Sequence, residues 1–295
     1  RLWINKGDGR FQVAADEMIR QTSLFSMGLD FADINRDGRV DFFVADMLSR
    51  SHERRMVQVM DGTAFAQYRD SRSTQPQSPR NTLFIQRTDR TFSELARFAG
   101  VEASEWSWCP AFIDIDLDGF EDLLITTGHW RDAQNADVAR SLETSIQKGN
   151  FSHAKQLELR KQFPVLNTPN VAFRNKGNAM FEDVSSNWGF DSIRVSHGMA
   201  LADLDNDGDL DAVINCLNAP ALLYQNQASG PRLRVALKGR SPNTAGIGAL
   251  VEVIAPNLPK QTQSIKAGGR YLSSDQPTRT FAVKAISDLV SIKVD

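Results

Sequence analysis

Short apolar runs alternate with polar turns along most of the chain, and three acidic segments each lie between two such runs. The flanking runs cover residues 29–32 and 42–45, 111–113 and 123–126, and 199–202 and 212–215. They are partly β-branched and soon interrupted by polar residues or glycine, which predicts β-strands rather than long amphipathic helices. We therefore predict an all-β fold in which each acidic segment joins two antiparallel strands.

The three acidic segments share one nine-residue pattern, with oxygen-bearing side chains at positions 1, 3, 5 and 9 and glycine at position 6. Hard oxygen ligands at alternate positions, with glycine for the sharp turn, are typical of a Ca²⁺-binding loop. We predict that about three Ca²⁺ ions bind here, each to the four side chains and to the backbone carbonyl at position 7. The predicted ligands are Asp33, Asn35, Asp37, Arg39 and Asp41 in the first loop, Asp114, Asp116, Asp118, Phe120 and Asp122 in the second, and Asp203, Asp205, Asp207, Asp209 and Asp211 in the third.

Two alternatives to this assignment can be weighed from the sequence. An EF-hand needs a glutamate at loop position 12, but that position holds Val44, Ile125 and Ile214. A plain hairpin turn needs one Asp-Gly pair, not four aligned oxygen ligands in every copy. We therefore predict metal binding, with a structural role rather than a sensing or catalytic one.

The first loop carries less negative charge than the other two. It has Asn35 where the others have Asp116 and Asp205, and both Arg36 and Arg39 lie within it. Because the number of charged ligands tunes calcium affinity, we predict that the first site binds Ca²⁺ most weakly.

Aromatic hairpins precede the acidic loops at a constant distance. The closing residues Phe11, Phe92 and Phe181 each lie 22 positions before the first aspartate of the following loop. Constant register over this length indicates a repeated unit of hairpin, strand, loop and strand, which is typical of propeller blades. We predict a partial β-propeller of about three calcium-loop blades, with a fourth hairpin beginning at Leu222. Since three blades do not close a ring, we expect a piece of a longer protein.

Two insertions interrupt this repeat. They cover about 47–80 and 130–169 and lack the strand pattern. The first is basic, with a helix expected near 53–60, and the composition of 136–163 favours two helices.

The acidic loops end before the last quarter of the chain, so we assign residues 1–228 to the propeller part. Residues 229–295 are predicted to form a separate small β domain, which we expect to be truncated. Its predicted strands lie at 232–237, 250–254, 264–266, 280–283 and 290–294.

Charge and cysteine content exclude several classes of protein. The net charge is −2, and the three loops hold 13 of the 36 acidic residues, so bound calcium would leave the body cationic and the acidity does not indicate a partner. No basic stripe with interleaved aromatic residues indicates nucleic-acid binding, and no apolar run has the length of a transmembrane segment. Cys109 and Cys216 occupy different repeat positions, which favours two buried free thiols over a disulfide.

The acidic loops and their spacing resemble the FG-GAP/VCBS repeats of integrin-α-like propellers. The segments N-T-A-G-I-G-A-L-V at 243–251 and G-G-R-Y-L-S-S at 268–274 resemble the ASPIC/UnbV domain. Together they are similar to the cartilage acidic protein family, and the segments 44–48, 104–108 and 128–132 resemble its bacterial branch. The resemblance implies a bacterial protein that is secreted or attached to the cell surface, extracellular or associated with the outer membrane.

Three functions are compatible with these features. A non-catalytic binding or adhesion module for a protein or glycan comes first, with His129, Trp130 and Arg131 as candidate ligand-binding residues at a blade rim. Trp106 and Trp108 are interpreted as packing between blades. The alternative is a calcium-dependent polysaccharide-active enzyme or its accessory domain, although no Ser-His-Asp order or zinc-spaced histidine cluster predicts a catalytic residue. The third is a purely structural spacer.

Overall fold

The structure is a computed structural model that describes residues 2–58, 75–148, 152–288 and 290–295. Part of the predicted first insertion lies outside these residues. The strands are β1 Trp3–Asn5, β2 Phe11–Val13, β3 Thr22–Ser23, β4 Leu29–Ala32, β5 Asp41–Val44, β6 Gln77–Ser78, β7 Thr82–Gln86, β8 Phe92–Glu94, β9 Ser107–Ile113, β10 Asp122–Thr127, β11 Thr168–Pro169, β12 Val171–Asn175, β13 Phe181–Asp183, β14 Ile193–Arg194, β15 Ser196–Ala202, β16 Asp211–Cys216, β17 Leu222–Tyr224, β18 Arg232–Ala236, β19 Leu250–Ile254, β20 Gln261–Ser264, β21 Thr278–Ala282 and β22 Ser291–Val294. The helices are α1 His52–Val57, α2 Ala96–Ala99, α3 Ala136–Lys148 and α4 His153–Arg160.

Each blade-like sheet contains the two strands that flank an acidic loop, followed by a hairpin in the first two sheets and by a single strand in the third. The first has the order β4-β5-β7-β8, the second β9-β10-β12-β13 reading from the inner edge, and the third β15-β16-β17. Corresponding residues pair in the same register, as in Phe42 with Phe84 and Leu123 with Phe173. The repeat read from the sequence, which begins with the hairpin, is therefore offset by half a unit from the structural sheet.

The middle sheet is buried on both faces. All six residues of β10 are buried, and its side chains alternate between two cores because successive strand residues point to opposite faces. Leu123 packs into the core shared with the first sheet, which includes Phe43. Leu124 packs into the core shared with the third sheet, which includes Met199 and Leu201. Burial on both faces explains the unbroken apolar stretch at residues 123–125 of β10, and it matches the stacking of propeller blades.

The described residues form an all-β arrangement of stacked sheets that does not close into a ring. The innermost strands β4, β9 and β15 lie beside one another. The Phe112 N–H donates to Asp30 Oδ2 at 2.8 Å, which joins β4 to β9. The predicted fourth hairpin is not formed, since β17 adds to the third sheet and the chain then continues into β18.

The C-terminal strands enclose a separate core around Val251, Val253, Ile265 and Phe281. They form a β18-β21 pair and a three-stranded sheet in the order β20-β19-β22. The strand predicted at 264–266 lies earlier, at β20. The pattern missed it because its first residue, Gln261, is polar yet fully buried and exchanges two hydrogen bonds with the backbone of Ala282.

The segment between β20 and β21 reaches across the inner strands of all three sheets. Arg270 donates to Asp30 on β4 and to the carbonyl oxygen of Pro110 on β9, at 2.7 and 3.3 Å. The Ser273 hydroxyl donates to the carbonyl oxygen of Met199 on β15 at 2.7 Å. The C-terminal region is thus hydrogen-bonded to the inner strands of all three sheets.

The insertions contain helices. Helix α1 begins after Ser51, whose hydroxyl accepts a hydrogen bond from the Arg54 N–H at 3.1 Å, as an N-cap does. The helix expected near 53–60 is thus described as far as Val57, and residues 59–60 lie outside the described part. Helices α3 and α4 lie in the second insertion. None of the helices in the described ranges is both long enough and apolar enough to cross a membrane.

Both cysteines are buried and free, as predicted.

Candidate metal centres and the opposite rim

All three acidic loops adopt the same backbone path at the same end of their sheets. Each joins the two inner strands of a sheet, and position 4 is left-handed in every copy, with φ of 61° at Arg36, 57° at Leu117 and 64° at Asn206. The glycine at position 6 also has a positive φ in all three loops, between 83° and 98°. Glycine adopts this conformation at little cost, so the loop can turn back on itself and direct its side chains inward.

The aspartate at position 9 makes the same two hydrogen bonds in each copy. One carboxylate oxygen accepts from the backbone N–H at position 2, with distances of 3.0, 2.9 and 2.9 Å for Asp41, Asp122 and Asp211. The other oxygen accepts from a backbone N–H at or just beyond the end of the next strand, at 2.8 Å from Gln86 and 2.9 Å from Asn175 and Asn226. Position 9 therefore fixes the loop to its own sheet.

The aspartate at position 1 distinguishes the third loop. Asp33 and Asp114 each accept two hydrogen bonds from the backbone N–H groups at positions 5 and 6, at 2.9 to 3.1 Å. Asp203 is buried, but neither of its carboxylate oxygens has a hydrogen-bond partner in the described part of the chain. Its contact is an ion pair with Arg234 at 3.1 Å.

Carboxylate oxygens converge in the second and third loops. One oxygen each from Asp114, Asp116 and Asp122 lies within 4.8 Å of the others, and the same holds for Asp203, Asp205 and Asp207. Two ligands on one Ca²⁺ lie at most about 5 Å apart, because each bond is about 2.3–2.6 Å long. The buried oxygens Asp116 Oδ1 and Asp209 Oδ1 also lack a described hydrogen-bond partner. The donor set and its orphaned oxygens therefore fit a calcium ion.

Burial makes several loop carboxylates costly to ionise. It raises the pKa of Asp41 to about 7 and that of Asp209 to about 7. Burial and the neighbouring carboxylates of Glu121 and Asp118 raise the pKa of Asp114 to about 8. A cation among these groups would compensate for the lost hydration.

Arginines supply part of this compensation. Arg174 contacts Asp116 at 2.5 Å and Asp118 at 3.2 Å. Arg232 pairs with Asp209 in the third loop. Arg36, in the first loop, pairs with the buried Glu121 of the second at 2.8 Å, so adjacent loops are joined by an ion pair.

The first loop is the least suited of the three to bind a metal ion. The Asn35 side-chain amide donates to Asp37 Oδ2 at 2.9 Å, and Arg39 pairs with the same carboxylate. Within the described ranges, no group of three acidic side chains meets in this loop as it does in the other two. Asp33, Asp37 and Asp41 lie near one another, but the carboxylate of Asp37 is already in contact with the side chains of Asn35 and Arg39.

An array of aromatic and imidazole rings lies at the opposite end of the same strands. Trp106 and Trp108 flank the start of β9, and His129 follows the end of β10, about 20 Å from the acidic loop at 3.3 Å per strand residue. Trp106 stacks on His129 with centroids 4.0 Å apart, and Trp108 packs against His197 at 4.7 Å and Tyr271 at 5.1 Å. The two tryptophans thus pack as predicted, but around histidines.

The predicted ligand-binding residues His129, Trp130 and Arg131 lie beside this array. The Arg131 N–H donates to His129 Nδ1 at 3.2 Å, which orients the imidazole. Arg131 lies over the Trp130 ring at 5.2 Å and donates to the carbonyl oxygen of Phe163 at 2.9 Å. Trp130 is 45% exposed, so its ring is available to a ligand.

Three charged residues at this rim were not singled out from the sequence. Arg54 of α1 lies 3.6 Å from Glu105 and 3.4 Å from Asp132, and both acids are buried. Burial raises the pKa of Asp132, and its Oδ1 has no hydrogen-bond partner among the described residues. The two acids belong to segments 104–108 and 128–132 that the resemblance had marked, but no local pattern connects them to Arg54.

Comparison with known proteins assigns both ends of the chain. Residues 1–44, which include the first acidic loop, match the family FG-GAP-like repeat. Residues 239–295 match the family ASPIC and UnbV. The chain contains an FG-GAP-like repeat and an ASPIC/UnbV region. The second and third loops share the pattern of the FG-GAP-like loop, and the resemblance predicted from the sequence is confirmed.

Part of the chain is also similar to cartilage acidic protein 1. The proteins of Xenopus tropicalis and Mus musculus are each 36% identical to it over 69 residues, which is 23% of this chain. The alignments cover 11% of each relative's length. The bacterial source stays a prediction.

Proposed function

We propose that this FG-GAP and ASPIC/UnbV chain is a calcium-stabilised, extracellular or cell-surface module that binds a protein or glycan without catalysis. The observation that carries the proposal is the convergence of buried, partly orphaned carboxylate oxygens at equivalent bends of stacked sheets. The residues that would hold Ca²⁺ are the side chains at positions 1, 3, 5 and 9 of each loop. Bound calcium would supply positive charge that holds each bend together.

Localisation outside the cell is part of the proposal. FG-GAP repeats are typical of extracellular proteins, and calcium loops of weak affinity suit the millimolar free Ca²⁺ found there.

The ligand is proposed to bind at the rim opposite the acidic loops. Rigid sheets hold Trp130 and Arg131 there on a connection into the second insertion, and function often lies on loops that a scaffold positions. An exposed indole with a guanidinium over its face presents an apolar surface and a cation together. This combination suits a sugar ring or an aromatic side chain that also carries an acidic group.

The test is a glycan array and a pull-down with the full chain in millimolar calcium. We expect a specific ligand to bind the wild type and Phe98→Ala, a control that removes a 63% exposed aromatic residue of α2. The double variant Trp130→Ala, Arg131→Ala should lose that ligand. Equal binding by the double variant would place the binding surface elsewhere.

A polysaccharide-active enzyme is the second candidate. The observation that favours it is the pair of buried acids, Glu105 and Asp132, at the same rim. Their contacts with Arg54 favour a structural ion network instead. Polysaccharide turnover by the wild type that Asp132→Asn abolishes would establish the enzyme.

A further inference from the structure

A small cavity lies where the three inner strands meet the ASPIC/UnbV region. Its volume is about 110 Å³. The inner strands contribute Asp30, Phe112 and Leu201, and the C-terminal sheets contribute Thr262 and Arg279. The cavity is thus a property of the interface between the blades and the C-terminal region, on the side of the acidic loops and away from the aromatic rim.

Arg279 of β21 is a buried cation with no carboxylate in contact. It is only 7% exposed. Its Nε donates to the carbonyl oxygen of Ser264 at 2.9 Å, and its Nη1 donates to the carbonyl oxygens of Gln276 and Thr278 at 3.1 and 2.8 Å. No acidic side chain in the described ranges lies within 4.0 Å of its guanidinium, and Nη2 has no protein partner there. Burial lowers its pKa, and the carboxylates of Asp275 and Asp30, which are not in contact, offset this only in part.

The acids that line the cavity are already engaged. Asp30 pairs with Arg270 and Lys266 at 2.7 and 2.9 Å. Three of the remaining acids pair with arginines, namely Asp275 with Arg270, Glu121 with Arg36 and Asp209 with Arg232. Asp33 and Asp114 instead accept hydrogen bonds from backbone N–H groups of their own loops. Among the described residues, Arg279 is therefore the lining cation without a carboxylate in contact, since Arg39, Lys266 and Arg270 are all paired.

A hydroxyl group that lines the same cavity as Arg279 also lacks a partner. Thr262 Oγ1 of β20 is buried and makes no hydrogen bond to any described residue. Buried polar atoms are nearly always satisfied by protein, water or a ligand. A guanidinium with free N–H donors and an orphan hydroxyl form the donor set that a carboxylate, sulfate or phosphate accepts from.

We propose that this cavity binds a small oxyanion, held by the guanidinium of Arg279 and the hydroxyl of Thr262. A water molecule occupies about 30 Å³ of liquid, so the cavity has room for an anion the size of acetate or sulfate. The ligand is a free ion, because the cavity lies between parts of this chain. The bound anion would complete the junction between the blades and the C-terminal region.

The experiment is calorimetric titration of the full chain with sulfate and with acetate, at fixed calcium and with sodium chloride matched for ionic strength. The wild type should bind at least one of the two anions. Thr262→Val should weaken binding about threefold, and Arg279→Lys about tenfold, because a single ammonium cannot both donate to the three backbone carbonyls and reach the anion as Nη2 does. The control Arg97→Gln, which removes an exposed arginine of α2, should bind as the wild type does.

Thr262→Val keeps the test decisive if Arg279→Lys fails to fold, because its hydroxyl bonds to no described residue. The proposal is overturned if the wild type binds neither anion at about 10 mM, or if Thr262→Val binds as tightly as Arg97→Gln. The rim variant Trp130→Ala should retain anion binding, so this result is separate from the proposed ligand site.

Discussion

The guanidinium of Arg270 lies 2.7 Å from the carboxylate of Asp30, across 240 positions of sequence. Both side chains are almost fully buried. Arg270 belongs to the segment at 268–274 that resembles the ASPIC/UnbV domain, and Asp30 belongs to the innermost strand of the first sheet. The same carboxylate accepts from the Phe112 N–H of the second sheet at 2.8 Å. One carboxylate therefore joins the first two sheets and the C-terminal region.

We expect Arg270→Met to lower the free energy of unfolding by about 3–5 kcal/mol, because it leaves Asp30 buried with only part of its countercharge. Urea denaturation measures the change. The control is Lys161→Met, which breaks an exposed pair with Glu158 at the same 2.7 Å separation. Exposed pairs contribute about 0–1 kcal/mol, so equal losses in the two variants would contradict a structural role for Arg270.

Acid should weaken the same junction. Burial would raise the pKa of Asp30, but Arg270 and Lys266 outweigh it and hold the pKa below its ordinary value. A depressed folded-state pKa gives stability that is present above the unfolded pKa of about 3.9 and is lost as pH falls through the folded value. The wild type should therefore lose more stability than Asp30→Asn on acidification below about pH 4. This expectation is wrong if urea denaturation shows the free energy of unfolding of the two proteins changing with pH in parallel.

The local features were predictable from the sequence, and the long-range ones were not. Each acidic loop can be recognised from nine consecutive residues, and the constant 22-position spacing identifies the repeat. Asp30 occupies a position where the other repeats have Ala111 and Ala200. That difference marks Asp30 as unusual, but nothing local indicates that its partner is Arg270.

The rim shows the same limit. Arg54, Glu105 and Asp132 come from three separate segments, and Arg54 lies on a helix of an insertion. Periodicity in the sequence identifies strands and loops, but it does not predict which insertion packs on which sheet. The C-terminal strand β20 was misplaced for a related reason, since Gln261 is buried through bonds to a strand distant in sequence.

Gly28 lies where the first two sheets approach each other closely. A Cβ at this position would lie 2.2 Å from the carbonyl oxygen of Trp108 and 2.6 Å from Pro110 Cδ, so Gly28→Ala must push β4 and β9 apart. We expect a loss of about 1–3 kcal/mol from overpacking. Gly198 occupies the equivalent position in the third repeat, and there a Cβ would meet backbone at 3.2 Å. The melting temperature of Gly28→Ala should be clearly lower than that of Gly198→Ala. The reverse order would contradict the close contact between the first two sheets.

The first acidic loop should gain affinity from one substitution. Asn35→Asp replaces a side chain that donates to Asp37 with one that can only accept when ionised, and it restores the charge found at Asp116 and Asp205. Calcium calorimetry should show the weakest of three binding steps becoming tighter. The mirror variant Asp116→Asn serves as the control and should weaken a stronger step. A first site that is already the tightest in the wild type would refute the predicted order.

Removal of calcium tests the proposal as a whole. A ligand that binds only the folded state stabilises it by about 2.7 kcal/mol at 100 times its dissociation constant, and two or three such sites should add. EDTA should therefore lower the melting temperature markedly, and excess Ca²⁺ should restore it. Mg²⁺ should restore it poorly, because it is smaller and demands near-octahedral geometry. A melting temperature that is the same in EDTA and in calcium would mean that arginines such as Arg174 and Arg232 neutralise the loops unaided.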